Sequence, residues 1–434
     1  MTDKYPGQLQ RVLGPLFTIA VGLGAVIGGG ILRTPATVLD AVPSIGLALT
    51  LWTVVGIQSL IEANAVAEVL TMFPRSGGYF VPARVAFGEP GGLLVGWSDW
   101  LSYVAAVASL ALLVADFTAM VIPALEPHRM AMTIAILVVL WAYNGLGVRE
   151  GARAQIVGSA AKALFLLGIV ALIFLLVPSD TSGLPRPSSP IGLAALVVAY
   201  QTIFGAYTGW NNAGYFAGED KDPGRNIPRG MLITIVSAML LYLLVSVALS
   251  HSLPLDRLRH SQLPIADALA PAFGSLSVKI VAAGAALIVL TCCNANAMGA
   301  PRILHGLAEE RMLPRLVRTV GRGGTPVVAL ALTMLSAMAL ALTGTFETVF
   351  LIMAALAMVP QILGEAALFQ LRWTHPDLPR PWRARLYPWL PGLALITDVA
   401  LLCVFIAADW KSGLYIVLAV AIVIPVGMAL RHRR

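Results

Sequence analysis

Leu16 to Pro35 reads LFTIAVGLGAVIGGGILRTP, an apolar run of membrane-crossing length with three consecutive glycines, Gly28, Gly29 and Gly30, inside it. Each glycine costs a helix roughly 1 kcal/mol relative to alanine, and together they leave backbone N–H and C=O groups without side-chain cover. The stretch therefore predicts a helix that breaks. Inside a bilayer, open backbone persists only where it is buried in protein or lines a cavity, so the break also marks a binding site. Close packing against a neighbouring helix is the plainer explanation for glycine in such a segment. Three in a row exceeds what packing alone requires.

Composition assigns the chain to a bilayer. Of its 434 residues, 58% are hydrophobic and 12% charged, against about 25% charged in soluble domains. The formal net charge of +7 does not select nucleic acid as a partner, because membrane proteins gather Lys and Arg on their cytoplasmic side. Cys292, Cys293 and Cys403 all lie in apolar runs. Adjacent cysteines do not readily bridge, so neither a disulfide framework nor a metal site is expected, and no cofactor is implied. The first apolar stretch lacks the short core and small-residue cleavage site of a signal peptide, and it is expected to remain as the first span.

At about 20 apolar residues per span, twelve segments stand out. They lie near residues 15–34, 45–70, 93–121, 131–147, 154–177, 192–217, 231–250, 277–300, 326–343, 348–370, 388–408 and 411–430. An even count puts both termini on one side. Placing them in the cytoplasm assigns twenty-one Lys and Arg residues to that side and seven to the other, with Lys162 inside a span. That bias follows the positive-inside rule. The expected location is the plasma (inner) membrane, multi-pass, with both termini cytoplasmic.

The sixth segment contains Phe204-Gly205-Ala206-Tyr207-Thr208-Gly209-Trp210-Asn211-Asn212, again interrupted by glycine and five spans after the first break. Spans one to five and six to ten read as two repeats, each opening with a broken helix. Because five is odd, the second repeat enters from the opposite face and the pair is inverted. The expected fold is an all-α polytopic membrane protein of about twelve transmembrane helices. Residues 1–370 form the five-plus-five core, and 371–434 supply peripheral helices 11 and 12 and a short cytoplasmic C-terminus.

The segment Gly22-Leu23-Gly24-Ala25-Val26-Ile27-Gly28-Gly29-Gly30-Ile31-Leu32 resembles the first-helix signature of amino acid permeases of the amino acid-polyamine-organocation superfamily, whose glycine motif is usually Gly-Ser-Gly. Pro74-Arg75-Ser76-Gly77-Gly78-Tyr79, Ala86-Phe87-Gly88 and Gly96-Trp97 are similar to that family's second-to-third helix region. Gly209-Trp210-Asn211, Ala217-Gly218-Glu219, Asp222-Pro223 and Arg225-Asn226-Ile227-Pro228-Arg229 resemble its sixth helix and exit loop. Pro301-Arg302-Ile303-Leu304, Leu313-Pro314 and Gly324-Thr325-Pro326 resemble its eighth-to-ninth connection. The resemblance implies a leucine-transporter-type inverted repeat that moves an amino acid by alternating access.

An amino acid carries a carboxylate and an ammonium, and desolvating either without partners costs several kcal/mol. A half-helix beginning after a break offers free N–H groups and a positive dipole end to the carboxylate, while helix ends at the breaks offer carbonyls to the ammonium. Carried over residue by residue, the resemblance implies that the carboxylate meets the N–H groups of Gly28, Gly29 and Gly30. It implies carbonyls of Val26, Gly205 and Thr208 for the ammonium. Asn211, Asn212, Asn294 and Asn296 can bond substrate or tie helices together, and Tyr103 and Trp210 are candidate pocket walls.

Two departures from the family pattern matter. Gly29 stands where serine is usual, which leaves recognition there to backbone alone. Gly205 stands where many relatives carry a bulky aromatic lid, which implies a roomier site unless neighbouring Phe204 fills the space. Lys162 matches a lysine of sodium-independent members whose ammonium sits where sodium-coupled relatives bind an ion, so transport without sodium is expected. A lysine at mid-depth costs on the order of 3 kcal/mol, and the plainer alternative is snorkelling past Arg153, about 13 Å away along a helix. Among the acids in or near spans, Glu62, Glu68, Asp99, Asp116, Glu365 and Asp398, the candidate proton carriers are Glu62 and Asp116; most of the six lie toward span ends, where an interfacial role is the simpler one.

An enzyme would need a clustered nucleophile, base or metal set, yet the six histidines fall in loops or at chain ends with no zincin or nucleophile-elbow motif. A channel would share the spans, but paired broken helices favour a carrier. Within that reading a neutral amino acid is the expected substrate, and amines or polyamines are the alternative because the serine is missing. Exchange and proton symport both stay open, as does the oligomeric state.

Overall fold

The computed structural model describes residues 9–179, 191–261, 263–344 and 346–408, with positions 413, 414, 417 and 421 beyond them. The described chain is helical, and its only β-type pairings are two isolated bridges, Leu13 with Asp220 and Val320 with Pro326. In chain order the first helices are α1 (Pro15–Val26), α2 (Gly30–Ala41), α3 (Ile45–Met72), α4 (Phe80–Val121), α5 (Arg129–Leu146), α6 (Val148–Leu176) and α7 (Leu193–Tyr207). After a 3-10 segment at Trp210–Phe216 come α8 (Pro223–Ser252), α9 (Leu255–His260), α10 (Pro264–Phe273), α11 (Leu276–Glu309), α12 (Val327–Ala341), α13 (Phe346–Thr374) and α14 (Trp389–Ala408).

Local chemistry sets several of these boundaries. Pro15 opens α1, where its missing N–H is an orphan in any helix. The Ser44 side chain accepts from Leu47 N at the start of α3. Gly88 adopts φ 76° inside α4, a left-handed conformation that bends the helix just before the apolar run begins.

Eight helices among the described residues are long and apolar enough to cross a membrane, and the α1/α2 pair, bent by 45°, makes a ninth. The expected sixth and ninth spans are shorter: the sixth is α7 plus the 3-10 segment, and the ninth is the 15-residue α12. The expected twelfth span, 411–430, lies almost wholly outside the described residues. The expected boundary after residue 370 falls in the last turn of α13.

Helix α4 is the long central member, packing along both α11 and α13, and α1 lies against α6, α8 and α11. Helix α2 lies against α7, and α14 covers α3 and α13. Two buried ion-pair systems close this packing. Arg302 donates to both Glu219 carboxylate oxygens at 2.7 and 2.9 Å and stacks over the Phe216 ring at 4.5 Å, with both partners 2% exposed or less. Glu68 accepts from Arg372 and Arg380 and from the Ala384 N–H.

Removing one member of such a pair strands a buried charge, at a cost of about 3–5 kcal/mol, whereas replacing both with apolar side chains is often neutral. Arg302→Ala is therefore expected to lower the melting temperature in detergent, and Arg302→Met with Glu219→Leu is expected to recover most of the loss. A double variant that melts as low as the single one would contradict this account.

Candidate functional site

Helix α1 ends at Val26 because Ile27 turns out of the helical region (φ −77°, ψ 84°), and α2 restarts at Gly30. A helix end leaves its last carbonyls without intrahelical donors. Here every one of them is met. The Lys162 ammonium, fully buried on α6, donates to Gly24 O at 2.8 Å and Ile27 O at 2.6 Å. Cys292 on α11 donates its thiol to Ala25 O at 3.1 Å. Val26 O accepts the Gly28 N–H at 2.8 Å and lies 2.9 Å from the Tyr242 hydroxyl of α8. A cation at a helix C-terminus also opposes the negative end of its dipole. Lys162 therefore does not snorkel; its charge is spent on the break itself.

The second break follows the same logic. Helix α7 ends at Tyr207, Thr208 is extended, and Gly209 takes φ 104° before the 3-10 segment. The Gly205 carbonyl accepts the Thr208 hydroxyl at 2.8 Å and the Thr208 N–H at 3.4 Å. The Tyr242 hydroxyl that touches Val26 O also lies 2.9 Å from Ala206 O. The breaks are in direct contact: a Cβ on Gly209 would lie 2.9 Å from the Ala25 Cβ, and one on Gly30 would lie 3.4 Å from the Ala206 Cβ.

Beside these contacts the backbone stays open. Gly30, Gly205 and Thr208 are exposed, and a Cβ at Gly205 would meet nothing within 4 Å. No acceptor among the described residues meets the N–H groups of Gly29 and Gly30, the orphan donors that begin α2. Together they form a small anion-accepting edge at a helix N-terminus.

The residues singled out from sequence thus fall into groups. The Gly29 and Gly30 N–H groups and the Thr208 carbonyl have no partner among the described residues, whereas Val26, Gly28 and Gly205 have theirs engaged within the protein. Phe204 is buried in the hydrophobic core. The Asn211 amide donates to the Tyr79 hydroxyl at 2.9 Å, which donates on to Gln361 at 2.7 Å, so this asparagine ties helices together. Asn294 does the same between α5, α6 and α11. Asn212 is fully buried beside Tyr103 and Gly299, and neither of its side-chain polar atoms has a partner among the described residues.

The two candidate proton carriers have opposite surroundings. Asp116, near the end of α4, pairs with Arg129 at 3.1 Å and its side chain is 36% exposed. Glu62 is buried and accepts from Gln58 at 2.8 Å; the same amide reaches Asp398 of α14 at 3.4 Å, and Glu365 and Asp398 each keep a buried carboxyl oxygen without a partner among the described residues.

Sequence reading missed Tyr242 and the Cys292 thiol contact. It also singled out Lys162 alone, although Gln155, Ser159 and Lys162 recur at helical spacing on one face of α6. That face meets α1 in register: Gln155 and Ser159 donate to Ala20 O at 3.5 and 2.7 Å, and Lys162 to the next turn. A polar stripe on an apolar helix was the available signal.

Residues 13–430 match the sequence profile of the family described as Amino acid permease. The chain is 25% identical to the serine/threonine exchanger SteT of Bacillus subtilis over 98% of both chains. It is 28% identical to the large neutral amino acids transporter small subunit 2 of Homo sapiens, over 87% of this chain and 73% of that one. An uncharacterized transporter of Mycobacterium tuberculosis is 30% identical over 73% of this chain and 70% of its own.

Gly29 packs tightly, since a Cβ there would lie 2.8 Å from Leu113 Cδ2 and 3.5 Å from Val289 Cγ2. Overpacking costs about 1–3 kcal/mol where the neighbour cannot yield, and less where, as here, it is the end of a leucine side chain. Gly29→Ala is expected to lower the melting temperature in detergent, and Leu113→Ala added to it is expected to restore part of the loss. Equal melting of wild type and Gly29→Ala would show that the contact is slack.

Proposed function

The chain belongs to the amino acid permease family, and we propose that it exchanges neutral amino acids across the membrane by alternating access, without sodium. The observation that carries this reading is the pair of unpartnered N–H groups at Gly29 and Gly30, at the positive end of α2 and beside an open space. They suit a substrate carboxylate with no side-chain help. The Thr208 carbonyl is the candidate ammonium acceptor at the second break, since no donor among the described residues engages it. Val26 and Gly205 would take that role only if Tyr242 and Thr208 released them.

Sodium independence rests on Lys162, whose ammonium already holds the carbonyls of the first break. A fixed cation there leaves a sodium ion nothing to neutralise. Exchange is the preferred mode because the relative that matches along nearly the whole chain carries the name of an exchanger. Proton coupling is the second reading, supported by the buried Glu62, Glu365 and Asp398 group with its unpartnered oxygens. Of the two candidate carriers, Glu62 suits that role better than the ion-paired Asp116. The inner membrane, with both termini cytoplasmic, is the proposed setting, and the leucine-transporter-type repeat the proposed frame. Amines are the alternative substrate, and a channel the alternative class.

Counterflow in proteoliposomes tests the reading. Preloaded serine, threonine or a large neutral amino acid is expected to drive saturable uptake of its labelled counterpart, equally in sodium and in choline buffer. The decarboxylated amines are expected not to compete. Competition by the amine alone would replace the amino acid reading, non-saturating flux would favour a channel, and substrate-driven proton entry abolished by Glu62→Gln would replace exchange with symport.

The empty space at Gly205 sets a second expectation. Gly205→Phe is expected to reduce uptake of large substrates at least tenfold relative to small ones, about 1.4 kcal/mol. An unchanged ratio would remove Gly205 from the substrate path.

A further inference from the structure

A cavity of about 530 Å³ opens at the membrane end where α1 and α6 begin. Its wall carries Arg11, Arg149, Arg153 and Lys221 together with apolar Leu16 and Ile156, and no acidic residue. These cations come from three separate parts of the chain. A parallel bridge brings two of them together, because Leu13 N donates to Glu219 O and Lys221 N donates to Leu13 O. Helix α6 supplies Arg149 and Arg153 one turn apart, on its first turns.

All four cations are exposed, and none makes an ion pair among the described residues. The two carboxylates that the bridge brings beside Leu13 are already engaged. Glu219 is held by Arg302, and Asp220 accepts from Thr18, Asn226 and the Asp222 N–H. A topological charge bias requires only that basic residues lie on one side of the bilayer; it does not require them to converge on one concavity.

The apolar surroundings select among anions. Leu16, 63% exposed, and Ile156 both line the cavity, so apolar surface adjoins the cations. A soluble phosphate would use the cations and leave that surface bare. We propose that this cavity binds the phosphate of an anionic phospholipid headgroup, with the acyl chains lying against Leu16 and Ile156. Basic pockets between helices at the membrane surface bind anionic headgroups through the same chemistry. Because Gly14 to Phe17 form part of the wall, the bound lipid rests on the first turn of the half-helix that ends at Val26.

The test uses the purified full-length protein in neutral detergent, titrated with phosphatidylglycerol, phosphatidylcholine or inorganic phosphate, with lipid retention read by native mass spectrometry and unfolding followed by temperature. Phosphatidylglycerol is expected to be retained and to raise the melting temperature, and the other two probes are not. Arg11→Gln with Lys221→Gln, and separately Arg149→Gln with Arg153→Gln, are expected to weaken retention about fivefold per cation removed. All four side chains are exposed, so the variants should fold, and Arg257→Gln with Lys279→Gln serves as the control for loss of charge elsewhere. Equal retention by wild type and both pairs would overturn the site. Stabilisation by inorganic phosphate equal to that by phosphatidylglycerol would overturn the lipid assignment, as would equal retention of phosphatidylcholine.

Discussion

The contact of the Lys162 ammonium with the Gly24 and Ile27 carbonyls makes a broken helix tolerable in the middle of this protein. A helix that stops inside hydrocarbon exposes several strong acceptors at once, each costing several kcal/mol if left dry. The fold answers with donors from three different helices: an ammonium from α6, a thiol from α11 and a phenol from α8. Burial of a lysine and opening of a backbone would each be costly alone, and here each offsets the other.

That arrangement also sorts the backbone of the two breaks. The Val26 and Gly205 carbonyls are satisfied internally. The N–H groups of Gly29 and Gly30 find no acceptor among the described residues. A carrier must bind its cargo without holding it permanently, and a site offering few unpaired groups on a largely self-satisfied backbone meets that requirement.

Much of the fold was legible because bilayer physics writes itself plainly into sequence. Span length and the glycine interruptions located the first break at Gly28 to Gly30 and the second near Gly205 to Gly209. The short α12 and the split sixth segment were readable as apolar runs, although their length as helices was not. Lys162 was legible as an anomaly, since nothing else in its surroundings is charged. Its partners were not, because they are backbone atoms more than a hundred residues away. Tyr242 gave no signal at all, being one aromatic in an apolar helix. The engagement of Val26 O by Gly28 N was also hidden, because it depends on the single turn at Ile27.

Gly209 against Ala25, Gly30 against Ala206 and one tyrosine hydroxyl within reach of both helix ends make the two breaks a single joint. Tilting α1 alone would pull Val26 away from the hydroxyl it shares with Ala206 and open the contacts at Gly209 and Gly30. The arrangement therefore favours movement of the two discontinuities together over movement of either one alone.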